Sequence, residues 1–255
     1  MPDNFRTQPT DTAVKWIFFD LDDTLWDFAA NSLKGLRHIY DTESDLHGPF
    51  PTFDSFADVY HRINADLWRR YHRGEIGRDL LMNGRFLATL AEAPVKAPDN
   101  LMTDSYSRHL SDIYLHALGR QKLLVDGAEE VLSRLSRHFL IGLLSNGFRE
   151  VQYDKLFNSG LDRFVQRMVL SDEIGIQKPD PRIFAHALRA VGATAQEVIM
   201  VGDNPEADIR GALDAGWRAI YFDKRREGNA PAGAPLAMNL FEAERLIMEA
   251  TKGRH

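Results

Sequence analysis

The chain contains no cysteine among its 255 residues. Disulfide bonds, thiolate nucleophiles and cysteine-ligated zinc are therefore excluded, and the composition is compatible with a reducing compartment. No run approaches the roughly 18 consecutive apolar residues of a membrane-spanning helix. The N-terminus up to Lys15 also has no apolar segment of signal-peptide length. We therefore expect a soluble cytoplasmic protein that does not associate with membranes.

The chain also has no long run of Lys or Arg, and its 37 acidic residues exceed its 31 basic ones, giving a net charge of -6. This balance argues against nucleic acid as a partner, but it permits a small anionic substrate if positive charge is concentrated locally. A hydrophobic content of 44% is enough for one large core or two smaller ones. We expect a monomer or a weak dimer.

What the chain does contain is a cluster of acids directly after an apolar segment. Trp16 to Phe19 have the pattern of a strand buried on both faces, and Asp20, Asp22 and Asp23 follow. Alternate residues of an extended segment share a face, so Asp20 and Asp22 can point into one pocket. Such close charges need a counter-charge, and Mg²⁺ prefers carboxylate and phosphate oxygens. The pattern indicates phosphate chemistry with Mg²⁺ as cofactor, and an acidic turn after a core strand is the alternative.

Residues 31–116 are predicted to form a helical insertion. Apolar residues recur every three or four positions from Phe56 to Tyr71, a further amphipathic stretch follows the Gly74 to Gly77 break, and no convincing strand is present. We expect this segment to interrupt an α/β core formed by residues 15–30 and 117–255. Residues 1–14 are polar and are expected to be a flexible tail.

From Asp126 onward, predicted helices alternate with short apolar strands. The strands are expected at Phe139 to Leu144, Arg167 to Leu170, Val198 to Val201 and Arg218 to Phe222. This alternation predicts an α/β fold with a doubly wound, Rossmann-like parallel sheet covered on both faces. Ligands bind at the carboxyl ends of such strands. Ser145 and Asp203 lie at the ends of two of these strands, and Asp20 lies at the end of the strand Trp16 to Phe19, so we expect the three side chains to converge.

These residues supply the parts that phosphoryl transfer requires, namely a nucleophile, positive charge and a proton donor. Asp20 can attack phosphorus to give an acyl phosphate, and Asp22 can protonate the leaving alkoxide and then deprotonate water. The Ser145 hydroxyl and the backbone N–H groups of Asn146-Gly147 can bind the transferring phosphoryl group. Lys178 can hold the attacking carboxylate and the phosphate together as a point charge.

Two further acids stand in the segment Gly-Asp-Asn-Pro-Glu-Ala-Asp. Asp203 is a candidate metal ligand, and Asp208 can orient Lys178 or a metal-bound water. Taken singly, each motif has an ordinary alternative: Ser145-Asn146-Gly147 as a turn, and Lys178 as a solvated side chain. The hypothesis therefore depends on their occurring together.

Four segments, in their order along the chain, resemble the four motifs of the haloacid dehalogenase-like phosphohydrolases. They are Asp20 to Thr24, Ser145, Lys178-Pro179 and Gly202 to Asp208. The resemblance covers residues 15 to 223, and it implies that the helical insertion is a type 1 cap.

The same resemblance implies a role for each motif residue. Asp20 would be the nucleophile and Asp22 the acid/base, while Ser145 and Lys178 would stabilise phosphate and charge. The protein's metal ligands would be Asp20, the backbone carbonyl of Asp22 and Asp203, with Asp208 behind them or contacting the metal through water. Thr24 would join the substrate-binding residues Ser145, Asn146, Gly147 and Lys178.

The residues around two of the motifs resemble those of bacterial pyrimidine 5'-nucleotidases of the YjjG type, which implies a nucleoside monophosphate as substrate. The two stretches are Phe-Asp-Leu-Asp-Asp-Thr-Leu-Trp and Ser-Asn-Gly-Phe-Arg-Glu-Val-Gln. A phosphatase or mutase of phosphosugars or other small phosphorylated metabolites is an alternative. A hydrolytic dehalogenase of the same superfamily needs no acid at Asp22, which argues against it. A receiver-like signalling module, also with an aspartyl phosphate, needs neither that second acid nor a helical insertion.

Overall fold

The computed structural model of this protein describes residues 13–224, 226 and 228–251. The predicted flexible tail lies outside these residues apart from its last two positions. The described chain forms two compact units. One contains the residues up to Trp26, Leu124–Phe148 and the residues from Leu161 onward, and the other contains Asp27–Leu123 with Arg149–Gly160.

The helices alternate with the strands only in the second half of the chain. They are α1 (Phe28–Thr42), α2 (Phe53–His72), α3 (Arg78–Asn83), α4 (Arg85–Ala91), α5 (Asp104–Gly119), α6 (Ala128–Leu135), α7 (Arg149–Asn158), α8 (Ser171–Ile174), α9 (Pro181–Val191), α10 (Gly211–Asp214) and α11 (Leu240–Thr251). A π-helical turn, Pro205–Arg210, leads directly into α10, and short 3₁₀ turns occur at Ser44–His47, Leu161–Arg163 and Ala195–Glu197. None of the helices in the described part of the chain is long and apolar enough to cross a membrane.

The first unit contains a six-stranded parallel sheet. Its strands are β1 (Trp16–Phe19), β2 (Leu140–Ser145), β3 (Val165–Leu170), β4 (Val198–Gly202), β5 (Arg218–Phe222) and β6 (Leu236–Ala237). Their order across the sheet is β3-β2-β1-β4-β5-β6, and each neighbouring pair is parallel. This confirms the predicted α/β fold with a Rossmann-like sheet. The short edge strand β6 was not predicted.

The order of the strands places β1 at the point where the chain changes direction across the sheet. From β1 the chain adds β2 and β3 on one side and then returns to add β4 and β5 on the other. All residues of β1 and β4 are buried, as expected for apolar strands covered on both faces. A crevice at the carboxyl ends of the strands beside such a switch point is the usual ligand site of this architecture.

The second unit is helical, and residues 28–116 contain no strand. Its core is aromatic: the Tyr60 ring lies 5.1 Å from that of Phe86 and 5.2 Å from that of Tyr114. The α7 segment belongs to this unit, whereas residues 117–255 were predicted to belong to the α/β core. Asn158, at the end of α7, donates a 3.0 Å hydrogen bond to the Gly119 carbonyl oxygen at the end of α5. The use of this unit as a cap stays a prediction.

Candidate active site

The candidate site lies in the α/β unit, at the carboxyl ends of three neighbouring strands. Asp20 follows β1, Ser145 ends β2 and Asp203 follows β4. Phe19 is in register with Leu143 of β2 and Val201 of β4, and the Asp20 amide donates a 2.9 Å hydrogen bond to the Val201 carbonyl. Parallel pairing of adjacent strands therefore puts the three polar residues at one edge of the sheet.

Lys178 is the centre of the hydrogen bonding at this edge. Its buried ammonium group lies 2.6 Å from each of three oxygens, which are Asp20 Oδ1, Asp208 Oδ1 and the Leu144 carbonyl. An ammonium has three N–H donors, and each has an acceptor here. A solvated surface lysine, the ordinary alternative for a single Lys in a loop, is therefore excluded.

The pKa values of these groups reflect burial and an excess of negative charge. Burial raises the pKa of the Asp20 carboxyl from 3.8 to about 7, although the nearby Lys178 ammonium acts in the opposite direction. Burial, followed by the charges of Asp20 and Asp208, raises the pKa of Asp203 to about 8. Burial alone would lower the pKa of Lys178, but the two adjacent carboxylates outweigh it and hold that pKa above its usual value. Lys178 is therefore charged at neutral pH.

Three carboxylates at the site can approach a single point. One oxygen each from Asp20, Asp203 and Asp208 lie within 4.8 Å of one another. They face one ammonium group, so negative charge is in excess, and a divalent cation would balance it. An all-oxygen set of this kind suits a hard cation such as Mg²⁺. The donor set therefore fits the predicted cofactor.

The Asp208 carboxylate packs against the backbone of Gly202. Its Oδ2 atom accepts a 3.0 Å hydrogen bond from the Asn204 amide while Oδ1 accepts from Lys178. A Cβ atom on Gly202 would lie 2.3 Å from that Oδ2 atom, so no side chain fits at this position. Both Asp208 oxygens thus accept hydrogen bonds, one of them from Lys178, and the role of Asp208 in orienting that lysine stays a prediction.

Asn146 pairs with the main chain of Lys178. Its Nδ2 atom donates to the Lys178 carbonyl at 3.0 Å, and its Oδ1 atom accepts from the Lys178 amide at 2.8 Å. The side chain thus ties the turn after β2 to the lysine segment. The predicted contribution of the turn to phosphate binding comes from its backbone N–H groups, and the Gly147 amide donates to Ser145 Oγ at 3.2 Å. The role of these groups toward substrate stays a prediction.

Thr24 and Asp22 lie in the turn after β1. Thr24 is fully buried, and its hydroxyl donates a 3.3 Å hydrogen bond to Asp203 Oδ1. Its observed partner is therefore a candidate metal ligand, and its predicted contact with substrate stays a prediction. Asp22 is half-buried, and its backbone forms an isolated β-bridge with that of Trp26 across the turn. The predicted functions of Asp22, as acid/base and through its backbone carbonyl as a ligand, remain predictions.

Lys224 is a charged residue described at this edge that was not predicted from the sequence. Lys224, just after β5, lies with its ammonium nitrogen 3.2 Å from Asp23 Oδ1. Asp23 has a left-handed backbone, with φ of 58°. The rule that selected Asp20, Ser145 and Asp203, a polar residue at the carboxyl end of a strand, also applies to β5, where it selects Asp223 and Lys224.

The geometry agrees with a match to a family of known proteins. The family model described as haloacid dehalogenase-like hydrolase matches residues 14–216. The chain belongs to the haloacid dehalogenase-like hydrolases. This confirms the resemblance that the four motifs indicated.

Individual relatives of this haloacid dehalogenase-like hydrolase differ in their activities. The chain is 32% identical to the pyrimidine 5'-nucleotidase YjjG of Escherichia coli, with 91% of this chain and 97% of the relative covered. It is 36% identical to a phosphoserine phosphatase of Thermus thermophilus, with 87% and 94% covered. A crystal structure of the putative hydrolase YfnB of Bacillus subtilis, bound to magnesium, superposes with a TM-score of 0.78 at 27% identity, covering 92% and 99% of the two chains.

Proposed function

We propose that this hydrolase is a Mg²⁺-dependent phosphatase that removes phosphate from small phosphomonoesters through an aspartyl phosphate on Asp20. The observation that carries the proposal is the buried Lys178 ammonium, which binds the Asp20 and Asp208 carboxylates at once. The ammonium holds the pKa of the buried Asp20 carboxyl below the value that burial alone would give, and so favours its charged form. A charged carboxylate with a free lone pair is the nucleophile that an acyl-phosphate mechanism requires.

In the first half of the reaction, an oxygen of Asp20 attacks phosphorus and the bond from phosphorus to the ester oxygen breaks. Asp22 donates a proton to the departing alkoxide, so an alcohol leaves and Asp20 carries the phosphoryl group. The Ser145 hydroxyl and the N–H groups of the turn that follows bind the phosphoryl oxygens. Lys178 offsets the negative charge that accumulates there.

In the second half, Asp22 takes a proton from water, which attacks phosphorus and releases inorganic phosphate from Asp20. Asp22 thereby regains the proton that it donates in the next cycle. Asp20 and Asp203, with the backbone carbonyl of Asp22, would hold the Mg²⁺, which neutralises charge on the carboxylates and phosphate oxygens when bound. Asp208 and Thr24 orient Lys178 and Asp203.

For the substrate, we propose a pyrimidine nucleoside monophosphate. The similarity to YjjG over 97% of its length supports this choice, together with the motif flanks. A phosphatase or mutase for phosphosugars or other small phosphorylated metabolites is the second candidate, because the equally similar phosphoserine phosphatase acts on a different ester. We also propose that the helical unit is the cap that selects among these esters. The magnesium-bound structure of YfnB is described as revealing interdomain movement, which supports a mobile cap.

Two treatments test the reaction class. Asp20→Asn should abolish phosphate release from every ester, because the amide is neither charged nor nucleophilic, while the exposed Asp214→Asn should leave the rate unchanged. Chelation of Mg²⁺ should stop turnover, and added Mg²⁺ should restore it. Turnover that survives either treatment would contradict the mechanism, and a phosphoenzyme that persists for minutes without turnover would favour the receiver-like alternative.

A panel of phosphate esters tests the substrate. Deoxyuridine and thymidine monophosphates should be hydrolysed with a higher kcat/KM than hexose phosphates and phosphoglycolate. A clear preference for sugar phosphates would favour the second candidate, and an isomerised hexose phosphate among the products would identify a mutase.

A further inference from the structure

The turn after β1 carries a charged side chain that the mechanism does not use. Asp23 stands between the proposed acid/base Asp22 and Thr24, and its backbone is left-handed, with φ of 58°. Residues other than glycine adopt this conformation rarely, Asp and Asn more readily than most, and surrounding interactions must stabilise it. The turn is closed by a 2.8 Å hydrogen bond from the Asp23 amide to the Trp26 carbonyl.

The conformation of this turn matters because Thr24 reaches the carboxylate cluster from it. The Thr24 hydroxyl donates to Asp203 Oδ1 at 3.3 Å, and Thr24 is fully buried. A rotation of the Asp23 backbone would move the next residue directly. The left-handed residue therefore controls a contact to a candidate metal ligand.

Lys224 holds the side chain of that left-handed residue. Its ammonium nitrogen lies 3.2 Å from Asp23 Oδ1, and the two side chains are 31% and 19% exposed. The residues are about two hundred positions apart in the chain and follow strands β1 and β5, which β4 separates. The ion pair thus connects two turns at the same edge of the sheet.

We propose that Lys224 is a positioning residue: through its ion pair with Asp23 it fixes the turn after β1 and so keeps Thr24 on Asp203. The proposal depends on the phosphatase function only for its kinetic consequence. The effect on the turn can be measured without any substrate or metal.

Hydrogen exchange tests the effect on the turn. The amides of Asp23, Leu25 and Trp26 donate within the turn, the latter two to the Leu21 carbonyl at 3.0 and 2.9 Å. Lys224→Met should raise exchange in the peptide that spans residues 21–27 by about threefold to fivefold, the upper part of the range for a partly exposed ion pair. Lys224→Arg, which keeps the charge, should stay close to wild type.

Lys15→Met is the matched control. Lys15 forms an ion pair with Glu197 in the same α/β unit, but the pair lies just before β1 and β4, at the opposite edge of the sheet. This variant should leave exchange of residues 21–27 at the wild-type rate. Unchanged exchange in Lys224→Met, or an equal increase in Lys15→Met, would overturn the proposal.

A double-mutant cycle tests whether Lys224 acts through Asp23. Asn tolerates a left-handed backbone and lacks the charge, so Asp23→Asn removes the ion pair and keeps the turn possible. Lys224→Met should lower kcat by about threefold to fivefold in the wild type and have little further effect in Asp23→Asn. An equal loss in both backgrounds would mean that Lys224 acts directly on substrate and would overturn the positioning role. If no ester is hydrolysed, the exchange result still decides the proposal.

Discussion

Gly202 is the last residue of β4, directly before Asp203, and its missing side chain makes room for Asp208. A Cβ atom there would lie 2.3 Å from Asp208 Oδ2 and 2.6 Å from Asp208 Cβ, so the whole carboxylate would have to move. Asp208 in turn binds Lys178. Because Gly202 has no side chain, Asp208 can lie where it binds Lys178, and Lys178 in turn binds Asp20.

We predict that Gly202→Ala lowers kcat by about a hundredfold, because a displacement near 1 Å at a reacting group has this effect. Gly48→Ala is the control, since nothing lies within 4 Å of a Cβ at that position. Steady-state kinetics on purified variants with equal far-UV circular dichroism would measure the loss. A Gly202→Ala enzyme of normal kcat would show that Asp208 does not position Lys178.

Asn146 acts on the same lysine from the other side, through its two hydrogen bonds to the Lys178 main chain. We predict that Asn146→Ala lowers kcat by about tenfold, since the lysine segment loses its register with the turn after β2. Asn158→Ala, which removes an amide that also donates to a backbone carbonyl, should reduce stability without this loss of kcat. If the loss of activity in both variants were proportional to the fall in their melting temperatures, Asn146 would have only a structural role.

Among the helices and strands, the sequence predicted most accurately the ones whose ends carry local signals. For α9, Asp180 accepts from the Arg182 amide at 2.9 Å, Pro181 occupies the first turn, and Gly192 ends the helix with φ of 64°. These signals depend only on neighbouring residues. The strand β1 was found with its observed bounds because it is apolar throughout.

The sequence could not place α7, because its buried side chains are not apolar throughout. Gln152 and Lys155 are both buried, and the Lys155 ammonium lies 5.4 Å from the centre of the Phe28 ring. A hydrophobic periodicity is weak when polar residues occupy the inner face. Arg85 shows the same limit: it is a charged residue, but it is buried and donates to the Leu81 carbonyl and the Tyr60 hydroxyl. Asp20, Ser145 and Asp203, in contrast, could be found because the ends of neighbouring parallel strands determine where they meet.

The helical unit contains a histidine whose titration should affect stability. Burial lowers the pKa of His61 below its ordinary 6.5, although the charge of Asp58 opposes this, and its Nε2 atom lies 3.4 Å from Ser32 Oγ. The unfolded chain therefore takes up a proton at a higher pH than the folded unit does. The stability that neutral His61 contributes is present above pH 6.5 and is lost as the pH falls toward its folded pKa.

We predict that His61→Gln reduces the loss of stability between pH 7.5 and 5.5, because glutamine does not titrate and still reaches Ser32. Urea unfolding at the two pH values would measure the difference in the free energy of unfolding. His38→Gln, at an exposed position of α1, should keep the wild-type dependence. An unchanged pH dependence in His61→Gln would show that His61 does not contribute to it.

For the whole molecule, the two units differ in how a divalent cation should affect them. All three carboxylates of the candidate metal group belong to the α/β unit, which is assembled from three separate stretches of the chain. A ligand that binds only the folded state stabilises it by about 2.7 kcal/mol at a hundred times its dissociation constant. Binding at Asp20 and Asp203 should therefore stabilise the unit that contains every strand of the sheet.

We predict that saturating Mg²⁺ raises the melting temperature of wild-type protein by roughly 5 to 10 °C, the shift expected for this stabilisation in a domain of 150 to 250 residues. Asp203→Asn should abolish the shift, because it removes a carboxylate from the group, whereas Asp214→Asn should preserve it. If the units unfold separately, only the transition of the α/β unit should move, since the helical unit contains none of these carboxylates. Differential scanning calorimetry with and without Mg²⁺ distinguishes these cases, and an equal shift in wild type and Asp203→Asn would place the cation elsewhere.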